Sequence, residues 1–111
     1  MSNVDVVRAM YEAYRSQDAA AADALLAPGL RFTSPQDDHI DKAAFMERCF
    51  PTAARFISQD VLHLTEADDE SVFFAYEYRL ATGDAYRNVE LITVRGERIE
   101  EIQVFFGGRT N

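Results

Sequence analysis

Ser71-Val72-Phe73-Phe74-Ala75-Tyr76-Glu77-Tyr78-Arg79-Leu80-Ala81 is the stretch whose reading decides the fold. In an extended chain Val72, Phe74, Tyr76, Tyr78 and Leu80 share one side, and Phe73, Ala75, Glu77 and Arg79 the other. This period of two, rich in aromatic and β-branched residues, specifies a strand, and the first set is the better core face. The same period runs through Phe56 to Glu66, Tyr86 to Val94 and Ile99 to Phe106. Short polar turns join these segments: Ala67-Asp68-Asp69-Glu70, Thr82-Gly83-Asp84 and Arg95-Gly96-Glu97-Arg98. Turns of that length and composition make antiparallel hairpins, so the second half of the chain reads as a four-strand meander.

Upstream the period is 3.6. Val4, Val7, Tyr11 and Tyr14 recur at helical spacing over residues 3 to 16, with Ser2 as cap. Asp18 caps a short alanine-rich helix carrying Leu25 and Leu26, which Pro28-Gly29 stops. Leu30 to Thr33 reads as a short strand that Pro35 prevents from continuing. Asp41 caps a third helix, Lys42 to Phe50, in which Phe45 and Cys49 stack, and Pro51 ends it. Gly107 to Asn111 reads as a polar tail. Helices first and strands afterwards specify an α+β domain, with the helices on one face of a curved sheet.

A chain of 111 residues is one domain, residues 1–111, with a single core. Eight Phe and five Tyr with no Trp mean that rings and aliphatics build that core, or line a pocket within it. The formal charge of -8 repels phosphate backbones and anionic membrane surfaces, so neither nucleic acid nor membrane is an expected partner. No apolar segment approaches the roughly 20 residues of a membrane span, and the start lacks signal-peptide character, so the expected location is the cytoplasm. Cys49 is the only cysteine, which excludes an intrachain disulfide and reads as a small buried hydrophobe.

Polar chemistry concentrates in Phe32-Thr33-Ser34-Pro35-Gln36-Asp37-Asp38-His39-Ile40-Asp41, a loop held by rigid elements at both ends. Asp37 and Asp38 are candidate bases or ligand contacts, with His39 as proton shuttle or orienting partner. Helix capping by Asp41 and turn formation by Asp37 or Asp38 are the competing structural roles. Carboxylates this close, without the glycine and terminal glutamate of a calcium loop, do not specify a metal site. Tyr14 and Tyr76 carry hydroxyls on apolar faces and are candidate ligand contacts. Ile102 and Phe106, on the apolar side of the last strand, are candidate pocket walls. His63 reads as a solvent-facing strand residue. The third long strand is mixed on both sides, Asn88, Glu90, Ile92 and Val94 opposing Val89, Leu91, Thr93 and Arg95. That strand decides whether a site exists.

The element order, together with Phe32-Thr33-Ser34-Pro35 and Glu101-Ile102-Gln103-Val104-Phe105-Phe106-Gly107, resembles the nuclear transport factor 2-like superfamily over nearly the whole chain. That superfamily contains ketosteroid isomerase, limonene epoxide hydrolase and SnoaL-like polyketide cyclases. Residues 34–41 with residues 45–51 look like a bacterial SnoaL-like subfamily. The resemblance implies a cone, also called a cystatin-like roll: a bent antiparallel sheet wrapped around the first helix, open at one end into an apolar pocket. It also implies homodimers formed sheet to sheet.

Ketosteroid isomerase uses an aspartate base with a tyrosine and a protonated aspartate in its oxyanion hole. The resemblance places its base at Ser34, its tyrosine at Met10 and its protonated acid at Glu90, so only Glu90 keeps the chemistry. Ser34 remains a candidate ligand contact. On the concave face Glu90 would be desolvated and its pKa raised; on the other it would be an outward glutamate paired with Arg79 or another base.

Three functions stay open. One is acid–base catalysis of the isomerase, cyclase or hydrolase type by Glu90 and Asp38 on a small apolar carbonyl or cyclic compound, without cofactor or metal. Another is a non-catalytic module for a hydrophobic ligand. A third is a dimeric scaffold using Phe73, Leu91 and Phe105 on the outer face of the sheet.

Overall fold

The computed structural model of the chain describes residues 1–111. Helices α1 (Asn3–Ser16) and α2 (Ala19–Leu25) lead into strand β1 (Leu26–Thr33). Helix α3 (Lys42–Arg48) and a 3-10 helix (Phe50–Arg55) follow, and then strands β2 (Phe56–Glu66), β3 (Ser71–Leu80), β4 (Ala85–Arg95) and β5 (Arg98–Arg109). The architecture is α+β, as the change of period predicts. The expected caps form: Ser2 and Asp5 exchange side-chain and backbone hydrogen bonds, Asp18 accepts from Ala21 N–H, and Asp41 accepts from Ala44 N–H. Helix α3 stops at Arg48, and Pro51 opens the 3-10 helix, where its missing N–H has no partner to lose.

The sheet has five strands in the order β1-β5-β4-β3-β2 and does not close. Strands β2 to β5 form the expected antiparallel meander. Strand β1 runs parallel to β5, so the sheet is mixed where the sequence reading made it antiparallel. Parallel pairing needs a long connection, and here the connection is everything from α3 to β4. Strand β1 also starts earlier than expected. Pro28-Gly29 does not terminate α2 but lies inside β1, in an irregular stretch between the Leu26–Ile99 and Arg31–Glu101 pairs. Proline is tolerated there because no ladder bond depends on its N–H.

Residues 107–111 are not a tail. Strand β5 continues to Arg109, opposite Tyr86, and Asn111 Oδ1 accepts from Ala85 N–H at 3.0 Å. Gly107 makes this possible, because a Cβ there would lie 2.5 Å from the Arg87 carbonyl oxygen. Gly108 adopts φ +91°, a conformation that side chains resist.

Val6, Val7, Met10 and Ala13 of α1 pack on Val72, Phe74 and Tyr76 of β3, Ile92 and Val94 of β4, and Ile99 and Ile102 of β5. The alternation in β3 therefore resolves as expected. Register settles β4: Glu90 lies opposite Phe74 and Val104, and Ile92 opposite Val72 and Ile102. The Asn88, Glu90, Ile92, Val94 side is thus the concave one, covered by helices.

Candidate functional site

Glu90 sits mid-strand among these apolar neighbours, positioned by β3 on one side and β5 on the other. Its Oε2 accepts a hydrogen bond from the Tyr76 hydroxyl at 2.6 Å. The same hydroxyl accepts from Asn88 Nδ2 at 3.2 Å. Oε1 bonds to nothing in the protein, yet it is not among the fully enclosed polar atoms, which are Arg15 Nη1, Gln59 Oε1 and Asn88 Oδ1. Glu90 keeps residual contact with solvent while lying among apolar side chains. Burial pushes its carboxyl from the ordinary 4.5 up to about 7, against the opposing pull of the Tyr76 hydrogen bond. Near neutral pH it can therefore either give or take a proton.

Two further groups feel the charge of Glu90. Tyr14, on α1, donates to Thr52 Oγ1 at 2.6 Å, since the Thr52 hydroxyl itself donates to the Cys49 carbonyl, and burial pushes Tyr14 up to about 12. Cys49, just after α3, is raised to about 11 by burial and then by the charge of Asp37. Its thiol is therefore not an activated nucleophile. Tyr76 is raised as well, chiefly by burial and then by Glu90, and stays a hydrogen-bond donor.

The structure brings Tyr14, Tyr76 and Glu90 together and leaves most of the acidic loop outside. Asp38 is 89 % exposed and bonds His39 Nδ1 at 2.6 Å. His39 Nε2 turns toward Glu101 at 3.9 Å. Asp37 is the inward carboxylate of the loop, accepting from Arg48 at 3.2 Å and from the Cys49 thiol at 3.9 Å. Ser34 Oγ accepts from Gln36 N–H, and Ser34 exchanges backbone bonds with Asp37, which makes it a turn former. Ile102 is a core residue between Ile92 and Phe32. Phe106 is 53 % exposed, with its ring 5.8 Å from that of Tyr86. His63 is exposed, as read.

Asn88 escaped the sequence reading as a site residue, although its place two residues before Glu90 on one strand face was a usable signal. Gln59, only 8 % exposed with Oε1 unpartnered, escaped for another reason. Irregularities at Phe56/Ser58 and Val61/His63 break the alternation of β2, so its face could not be assigned. A band of rings also went unremarked: Phe56 stacks on Tyr78 at 4.7 Å, and Tyr78 on Tyr86 at 5.5 Å. Two surface depressions, of about 440 and 500 Å³, have polar linings that include Thr93 and Arg95, and neither reaches Glu90, Tyr76 or Tyr14. No helix is long and apolar enough to cross a membrane.

Three helices laid on one face of an open, mixed five-stranded sheet make an α+β fold whose solved structural neighbours are nuclear transport factor 2-like. Within it, the chain belongs to the SnoaL-like domain family, whose model matches residues 7–102.

Solved structures agree on the fold. A protein from Kribbella flavida superposes with a TM-score of 0.83 at 23% identity, covering 93% of this chain and 84% of that one. A protein provisionally named a polyketide cyclase, from Sinorhizobium meliloti, gives 0.79 at 16% identity over 91% and 94%. Another from Kribbella flavida, provisionally named a ketosteroid isomerase, gives 0.77 at 17% identity over 96% and 78%. Identities this low speak for the fold alone. No curated protein is similar enough in sequence to match.

Proposed function

We propose that the protein binds a small, mostly apolar carbonyl-bearing or cyclic molecule on the concave face of its sheet. Glu90 then exchanges a proton with it, in isomerase, cyclase or hydrolase chemistry that needs no cofactor. The observation that carries this reading is the Glu90 carboxyl: deep among apolar residues, steadied at Oε2 by Tyr76, with Oε1 unengaged. The provisional names of two structural neighbours, a cyclase and an isomerase, agree with acid–base chemistry. Tyr76 is the hydrogen-bond partner of Glu90, and Asp38, expected to act with Glu90 as acid and base, points outward from the loop. Tyr14 and the Phe56, Tyr78 and Tyr86 rings supply apolar walls.

Thermal shift of the wild type and Glu90→Gln against lipophilic carbonyls, lactones and epoxides tests the proposal, since a bound ligand stabilises by mass action. A compound is expected to raise the wild-type midpoint, to raise that of Glu90→Gln less, and to be chemically changed by the wild type only. Stabilisation without chemical change would support a binding module instead. If no compound moved either midpoint, the proposal would fail for these classes.

One observation favours an assembly role alongside. Phe73, Val89 and Phe105 are 41%, 37% and 54% exposed on the outer face of the sheet. Register places Val89 beside Phe105 and Phe73 beside Leu91, so they form one apolar strip. A homodimer through this face is the expected state. Light scattering should give twice the chain mass at micromolar concentration; the mass of one chain would exclude it.

A further inference from the structure

The Tyr76 hydroxyl has one proton to donate, and two groups compete to define where it goes. Glu90 Oε2 stands 2.6 Å away and the Asn88 carboxamide 3.2 Å away. Asn88 presents its Nδ2 to Tyr76, which fills an oxygen lone pair and leaves the tyrosine proton only Oε2. The carboxamide holds this orientation although its own Oδ1 is then enclosed without a partner. An orphaned buried acceptor is unfavourable and is seldom retained without a reason.

We infer that Asn88 is a positioning residue, acting through Tyr76 to commit the tyrosine proton to Oε2 of Glu90. Oε1, the oxygen without a partner, is consequently the one that carries the acid's own proton and meets a ligand. This consequence rests on the reading of Glu90 as the proton-exchanging group. The hydrogen bonds Asn88 to Tyr76 to Glu90 all run toward the carboxyl, and such chains reinforce one another. The titratable groups that face Glu90 are Tyr76 from β3, Tyr14 from α1 and Cys49 from the end of α3. All three are neutral near pH 7, and no cation bonds to Glu90, so its titration reports this chain directly.

The test is a carbon-13 carboxyl titration of ligand-free protein labelled at glutamate, with Glu90→Gln identifying the Glu90 signal. In Asn88→Leu the tyrosine proton is free to turn away, and the Glu90 midpoint is expected to rise by about half a pH unit. Tyr76→Phe is expected to raise it further, and the double variant to titrate like Tyr76→Phe alone. Asn88→Ala, which removes the carboxamide without adding bulk, is read the same way should Asn88→Leu not fold. An unmoved midpoint in the asparagine variants would overturn the inference. So would a second increment in the double variant, because Asn88 would then act other than through Tyr76. The protein is titrated without ligand, so this result stands apart from the outcome of the ligand screen.

Discussion

Glu90→Gln is expected to make the protein more stable than the wild type at pH 8, by an amount on the order of 3 kcal/mol, and about equally stable near pH 4. In the unfolded chain this glutamate releases its proton near 4.5, and in the folded protein only near 7. Between those values the folded state holds a proton that the unfolded state has lost, so wild-type stability falls as pH rises and then levels off. Glutamine has no charge to desolvate and can still accept from Tyr76. Asp5 and Asp68 are shifted the other way, downward through hydrogen bonds to Ser2 and to the Glu70 backbone, so what they contribute is lost as pH falls. They are common to both proteins and cancel in the comparison. Urea unfolding of the pair at pH 4, 6 and 8 gives the result directly. Parallel pH profiles would mean that Glu90 is ionised in the folded state without penalty.

Ile99→Ala is expected to destabilise the domain by about 2–5 kcal/mol. Ile99 is fully buried where three strands meet, opposite Leu26 of β1 and Val94 of β4, which are themselves 0% and 1% exposed. These neighbours belong to a close-packed sheet and cannot collapse into the space left by the lost side chain. Ile57→Ala is the matched control, because Ile57 is 60% exposed and its truncation should fall within about 0.5 kcal/mol of the wild type. Similar urea midpoints for the two variants would contradict the packing described at the β1–β5 junction.

The local order of the fold was legible and its one long-range step was not. The periods of 3.6 and 2, the caps at Ser2, Asp18 and Asp41, and the polar turns are short-range signals, and the structure follows them except where two irregularities interrupt the alternation of β2 and where Pro28-Gly29 lies inside β1 instead of ending α2. The parallel β1–β5 pair depends on residues far apart in sequence, and no local pattern specifies it. Gly107 reads as a chain end until the Arg87 carbonyl is known to lie against it.

The site divides in the same way. Alternation alone left Glu90 on either face of β4, and only the register against Phe74 and Val104 turns it inward. The acidic loop drew attention by composition, but composition does not say where side chains point. Asp38 spends its carboxylate on the neighbouring His39, while Asp37 turns toward Cys49. The i, i+2 spacing puts Asn88 on the same strand face as Glu90, but its hydrogen bond to Tyr76 crosses to the next strand and depends on the register.

The most direct test of the account is the carbon-13 titration of the Glu90 carboxyl in the wild-type protein without ligand. A midpoint near 7 is the predicted result, and it would establish an acid on the concave face able to give or take a proton at neutral pH. A midpoint near the ordinary 4.5 would contradict the account, because Glu90 would then be a well-solvated or strongly stabilised carboxylate and no longer a candidate for proton exchange.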